Sequence, residues 1–312
     1  MKTPWRKAIT KSKKKKKFLM NNIPHLPPYS IKIFLPDGDP DGLRLIEKSN
    51  WTGLGVVFSR SGYKNALKRE EFQRTGVYVL VGSSEESSLP TIYIGEGDPV
   101  RPRLDSHYAK KDFWNWGVFF VTSNMSLNKA HVKYLESRLI QLAKDVKQCN
   151  LDNSNDSSQP TLSEADVADM ESFVQDMLKV FPLVGLSVFE KPPHSNSQRE
   201  KLFIKAKGVK AKGYETSRGF VVLEGSEGVT KEVPSIHQYL TNLRNDLVKK
   251  GVLQGENGHY VFTEDYIFSS PSTAAGVVLG RSSNGRTCWK NGNGKTLKTI
   301  QAENTMDEEK ST

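Results

Sequence analysis

Cysteine is nearly absent: Cys149 and Cys288 are the only two in 312 residues. Two thiols so far apart build neither a disulfide framework nor a thiolate zinc site, and their scarcity fits a reducing, cytoplasmic setting. No run of about 18 apolar residues occurs, so the sequence offers no apolar membrane-spanning helix. Its lysine-rich start also lacks the apolar core of a secretory signal. The histidines show no metal-ligand spacing among themselves. Asp37, Asp39 and Asp41 alternate like the start of a calcium loop, but Pro40 interrupts them and no Glu follows at the twelfth position, so they read as a turn. Acidic excess is missing too, with a formal net charge of +10. That excess is local. Nine of the 45 Lys and Arg lie in residues 1–17, which hold no acid, and the other 36 are matched by 35 Asp and Glu. The basic run reads as a flexible arm, either contacting phosphates or dispensable sequence upstream of Met20. Any further nucleic-acid face must be a patch on a nearly neutral body.

What is present centres on Thr75–Lys144. Gly76-Val77-Tyr78 opens the apolar run GVYVLVG, a polar loop follows, and a second run, TIYIG, ends at Gly95. Both are rich in Val, Ile and Tyr and bounded by Gly, Ser and Pro, as paired strands are. Asp98-Pro99 reads as a helix start, predicting a helix over 100–110 on which Arg103 and His107 share a face. A third strand is predicted over 116–122. Val132, Leu135, Leu139, Leu142 and Val146 then give the apolar face of a helix over 128–146. Glu136 falls at the edge of that face, where a carboxylate requires a hydrogen bond, an ion pair or a cation.

These residues, in this order, resemble the GIY-YIG endonucleases, with GVY for the first triplet and an intact YIG for the second. Arg103 follows Gly95 by eight residues and His107 follows Arg103 by four, as in that family. The resemblance implies a metal-dependent endonuclease that hydrolyses DNA phosphodiester bonds, in restriction, defence or repair. It further implies that Glu136 is the metal ligand for one Mg²⁺ (or Mn²⁺), that Arg103 holds a phosphate oxygen, and that Tyr78 is the usual general base. His107 would bond Tyr78 or orient the water, and Tyr93 would position phosphate or water. For the family's later Asn, Asn153 is the nearest position and Asn150 the other. One such site cuts one strand, so double-strand cleavage implies a homodimer or two events. The alternative is a catalytically inactive nucleic-acid-binding or partner-regulating protein.

The expected architecture is α/β. A basic disordered tail (1–28) precedes an N-terminal β-hairpin extension (29–74) and a GIY-YIG domain with a small antiparallel three-stranded sheet flanked by helices (75–160). A helix and linker (161–200), a small α+β C-terminal domain (201–298) and a disordered tail (299–312) complete the chain. In the C-terminal domain, LFIKA, RGFVVLEGS and a hairpin, HYVFTEDYIFSS, read as strands, with helices over 236–250 and 271–279. GFVVLEGS, FSSPSTAAGVVLGRSSNG and Trp289 resemble a domain of unknown function often C-terminal in GIY-YIG and restriction-modification proteins. Ser270, Arg281, Asn284 and Trp289 are candidates for a recognition surface there, toward nucleic acid or a partner protein.

Overall fold

The computed structural model describes residues 28–154, 159–193 and 199–311; the basic segment 1–27 lies outside the described residues. The first unit runs β1 (Ile31–Phe34), β2 (Arg44–Lys48), β3 (Gly53–Ser59), α1 (Tyr63–Ala66), a 3₁₀ turn at Glu70–Gln73, β4 (Gly76–Gly82), β5 (Thr91–Gly97) and α2 (Arg101–Lys110). It continues with β6 (Trp114–Thr122), α3 (Lys129–Val146), β7 (Asn150–Leu151) and α4 (Glu164–Val180). Its seven strands form one sheet in the order β1-β2-β3-β6-β4-β5-β7.

The three strands expected as a small separate sheet, β4, β5 and β6, are thus the middle of a wider one. Residues 29–74 are not a separate hairpin extension either. GLGVVFS forms a third strand, and β3 pairs with β6 along seven residues. Burying both faces of β3 gives it a continuous apolar pattern rather than the alternation of an exposed hairpin. The same holds for GVYVLVG: every residue of β4 is buried. Val77, Val79 and Val81 join the core under α3 and α4, while Tyr78 and Leu80 face the core made with α1, the 3₁₀ turn and α2.

Three boundaries move. Asp98-Pro99 does not cap α2; the helix starts at Arg101 with Pro102 in its first turn, and Asp98 Oδ1 instead accepts the Thr75 hydroxyl at 2.6 Å. The Asn- and Ser-rich segment after α3 is not all loop, because β7 adds to β5 in parallel. Finally, the first unit extends past residue 160 through α4, whose apolar face packs as a core helix: Met170, Phe173, Val174 and Met177, followed by Phe181 and Phe189, belong to the first unit's core.

The second unit contains β8 (Leu202–Ala206), β9 (Val209–Thr216), β10 (Gly219–Val222), β11 (Glu227–Val229), α5 (Gln238–Lys249), β12 (Leu253–Glu256), β13 (His259–Phe262) and β14 (Tyr266–Phe268). Helices α6 (Pro271–Leu279), α7 (Gly285–Cys288) and α8 (Leu297–Ser311) follow. Two sheets, β14-β10-β9-β8 and β11-β13-β12, enclose its core. The expected hairpin over 259–270 is absent: β13 pairs with β11 and β12, and β14 with β10. The expected disordered tail from 299 is helical, as α8, with Leu297 buried and Ile300 packed on the core.

The units are joined through the polar loop between β4 and β5. Leu89 of that loop is buried in the second unit's core. Asp246 of α5 accepts the Ser87 hydroxyl at 2.8 Å and the Ser88 N–H at 3.1 Å. Lys250 Nζ donates to the Cys149 carbonyl at 2.6 Å, and Gln148 Nε2 to that of Ile267 at 3.0 Å. The N-terminal end of β5 and its β7 neighbour are therefore tied to the second unit. Among the described residues no helix is long and apolar enough to cross a membrane.

Candidate active site

The strand register explains why the two triplets read as they do. Tyr78 lies opposite Gly95 on β5, and a Cβ at Gly95 would meet the Tyr78 ring and hydroxyl at 2.4 Å. Only a residue without a side chain lets the tyrosine lie across β5 there. Gly76 has the same role against β6, where a Cβ would fall 2.5 Å from the Phe120 carbonyl oxygen. The phenol that crosses Gly95 ends at α2, its Oη 2.8 Å from His107 Nε2. Tyr93, one strand over, packs its ring 4.6 Å from His107 and 6.3 Å from Tyr78.

Helix α2 is held in place from beneath. Arg60 donates to the Lys111 and Tyr108 carbonyls at 2.7 and 3.0 Å, and its guanidinium lies over the Tyr108 and Trp114 rings. Tyr63 bonds Asp105 at 2.9 Å. With Leu104 buried, these contacts fix the helix rotation and so direct His107 at Tyr78 while Arg103 stays exposed.

The charges form one set. Burial first, then the charges of Tyr93, Glu136 and Glu96, push the Tyr78 phenol well above its ordinary range, against the opposing pull of Arg103. Tyr93 is raised by burial and Glu136, with Lys111 and Arg103 pulling the other way. Burial, Lys111 and Arg103 bring His107 down to about 4. At neutral pH the phenol is therefore protonated and the imidazole neutral, and the tautomer with its ring proton on Nδ1 is the one that accepts the Tyr78 hydroxyl at Nε2. Tyr78, Tyr93, Arg103, His107 and Glu136, drawn from β4, β5, α2 and α3, thus share one electrostatic neighbourhood.

The two asparagines separate cleanly. Asn153 grips Ile94 from both sides of its peptide, accepting from N–H at 3.0 Å and donating to C=O at 2.7 Å. It continues the β7 pairing along the YIG strand and acts on Tyr93 through the backbone. Asn150 bonds Ser87 in the β4–β5 loop, away from the tyrosines.

Three further residues border the site without having been legible beforehand. Glu96, buried one position after YIG, takes Lys129 Nζ on both oxygens at 2.7 Å. Lys111 lies 4.6 Å from the Tyr93 ring centre and pairs with Asp152. A buried acid directly after a strand glycine was the available signal for Glu96; Lys111 and Asp152 have none.

No group of three or more His, Cys, Asp or Glu side chains able to hold a metal gathers among the described residues. Glu136 as the single carboxylate ligand would suit an ion that keeps most of its own waters, such as Mg²⁺ or Mn²⁺, and not a zinc ion that wants three or four protein ligands.

Beyond these contacts, the comparison with known proteins informs the second unit. Residues 202–301 match a domain of unknown function, DUF4357. DUF4357 commonly lies C-terminal in GIY-YIG proteins, and the match starts with β8 and ends within α8. Neither a curated protein nor a solved structure matches the chain. Within DUF4357, three of the four candidate recognition residues are structural. Trp289 is buried 4.4 Å from Phe220 and donates to the Pro271 carbonyl, Ser270 caps α6 and Asn284 caps α7. Arg281 is exposed and caps nothing, while Asn284 is exposed as well as capping.

Proposed function

We propose that the protein is a GIY-YIG endonuclease that hydrolyses DNA phosphodiester bonds with a divalent metal ion, its first unit carrying catalysis. The observation that supports this most is the Tyr78–His107 hydrogen bond of 2.8 Å, set beside Arg103 and Glu136 and made between a protonated phenol and a neutral imidazole. With its ring proton on Nδ1, a neutral His107 offers Nε2 as an empty proton acceptor. As Tyr78 Oη takes a proton from the attacking water, it passes its own to Nε2, so the phenol is never required to exist as a buried phenolate. Arg103, exposed and carrying a planar fork of donors, meets a phosphate oxygen whose charge grows in the transition state. Lys111 adds positive charge beside Tyr93, which orders the substrate end of the site.

Glu136 would hold Mg²⁺ or Mn²⁺; when bound, such an ion polarises the phosphate and stabilises the leaving oxygen. The reading of residues 75–160 rests on motif and geometry together, and the DUF4357 neighbour accords with it. Metal-dependent nicking of DNA by the native chain, lost in Glu136→Gln while DNA binding survives, tests it.

A further inference from the structure

The sheet β14-β10-β9-β8 buries Leu202, Ile204, Val209 and Ala211 on its inner face. The alternate residues Phe203, Lys205, Lys210 and Lys212 therefore lie on the other face, where all three lysines are exposed. The register sets Lys205 directly opposite Lys210 and Phe203 opposite Lys212. Lys290 extends the row, bridging to Phe203 through backbone bonds of 2.7 and 3.0 Å. A cleft of about 580 Å³ opens along this edge, lined by Phe203, Lys205, Arg281, Thr287, Lys290 and Asn291.

Like charges directly opposite on neighbouring strands, about 5 Å apart, destabilise a sheet, and here no side-chain ion pair among the described residues relieves them. Among the described residues Lys205, Lys210, Lys212, Arg281 and Lys290 have no side-chain partner. The nearby acids bond other groups than the lysine ammoniums. Glu200 accepts from Asn291, Glu227 from the Lys210 N–H, Glu303 pairs with Lys295, and Glu215 accepts from Gln301. The body of the protein is close to neutral, so five unpaired cations around one half-buried aromatic ring are a concentrated exception. None of the exposed large apolar side chains lines the cleft, which sets it apart from a lipid-inserting surface.

We infer that this face of the DUF4357 unit is a second nucleic-acid site, the lysines and Arg281 contacting the phosphodiester backbone and Phe203 offering a ring for a base or sugar. It holds DNA independently of the catalytic residues and reads no sequence by itself.

The test is fluorescence anisotropy of a labelled duplex of about 20 base pairs, titrated with the full chain in EDTA from about 50 to about 300 mM KCl. Lys205→Gln/Lys210→Gln/Lys212→Gln/Lys290→Gln should weaken binding about tenfold or more at the low end and reduce the slope of log Kd against log salt by about 3 to 4. The matching fourfold Lys→Arg variant should keep both. An unchanged affinity and slope in the Gln variant would overturn the proposal, and polyglutamate or anionic vesicles bound only by the native face would then identify the ligand as an acidic protein or a membrane. Because EDTA removes any metal, the result stands whether or not the first unit cuts.

Discussion

Replacing Gly95 by Ala tests whether the YIG glycine exists to let Tyr78 pass. An added Cβ would sit 2.4 Å from the Tyr78 Cζ and hydroxyl oxygen and 2.8 Å from Cε2, in a place where Tyr78 is 1 % exposed and cannot move outward. Overpacking of this kind costs about 1–3 kcal/mol, and a ring displaced from His107 leaves a buried hydroxyl unsatisfied at about 1–3 kcal/mol more. Lower chain entropy in the unfolded state returns up to about 1 kcal/mol. The net expectation is about 2–4 kcal/mol of destabilisation in urea unfolding. Tyr78→Leu removes the three contacted atoms, so in that background Gly95→Ala should be neutral or slightly stabilising. The coupling across the cycle is then at least about 2 kcal/mol. Additive effects in the double variant would refute the explanation.

Three other outcomes follow from the same contacts. His107 is held near 4 against an ordinary value of about 6.5, so between those values the unfolded chain binds the extra proton and stability falls as pH falls. Urea midpoints should decline from pH 7 to pH 4.5, less steeply in His107→Gln, and an NMR titration placing His107 near 6.5 would contradict this. Leu89→Ala should cost about 2–4 kcal/mol, because it leaves a cavity in the DUF4357 core; a change confined to the first unit's unfolding would show that the loop is not docked. Asn153→Ala removes both bonds to Ile94, and hydrogen exchange at the Ile94 amide should accelerate at least about tenfold, whereas Asn150→Ala should leave that amide unchanged.

Much of the site was legible because strand and helix periods fix which side chains meet. The Gly76-Val77-Tyr78 and Tyr93-Ile94-Gly95 strands, the Arg103–His107 face and the Asn128-capped helix carrying Glu136 all formed within two residues of their expected bounds. The choice between Asn153 and Asn150 could not be made from spacing, since it depends on a two-residue parallel pairing to β5. The width of the sheet was hidden for another reason. Strand β3 finds its partner β6 more than fifty residues later, a nonlocal contact that leaves no local pattern. In the DUF4357 unit, VKAKGYET escaped notice because its outward lysines and its glycine lower strand propensity, although Val209 and Ala211 alternate inward. Helix α8 has a weak apolar pattern, with Leu297 and Ile300 as its apolar anchors and Gln301 and Glu303 making polar ones, so its sequence reads as a charged tail.

The most direct measurement is incubation of supercoiled plasmid with purified protein in Mg²⁺, in Mn²⁺ and in EDTA, alongside Tyr78→Phe and Glu136→Gln. The proposed nuclease should convert the plasmid only when metal is present, and each variant should lose at least about a hundredfold in rate while remaining folded by circular dichroism. Nicked product would indicate single-site action, and linear product paired action. Cleavage that persists in EDTA, or in either folded variant, would contradict the account.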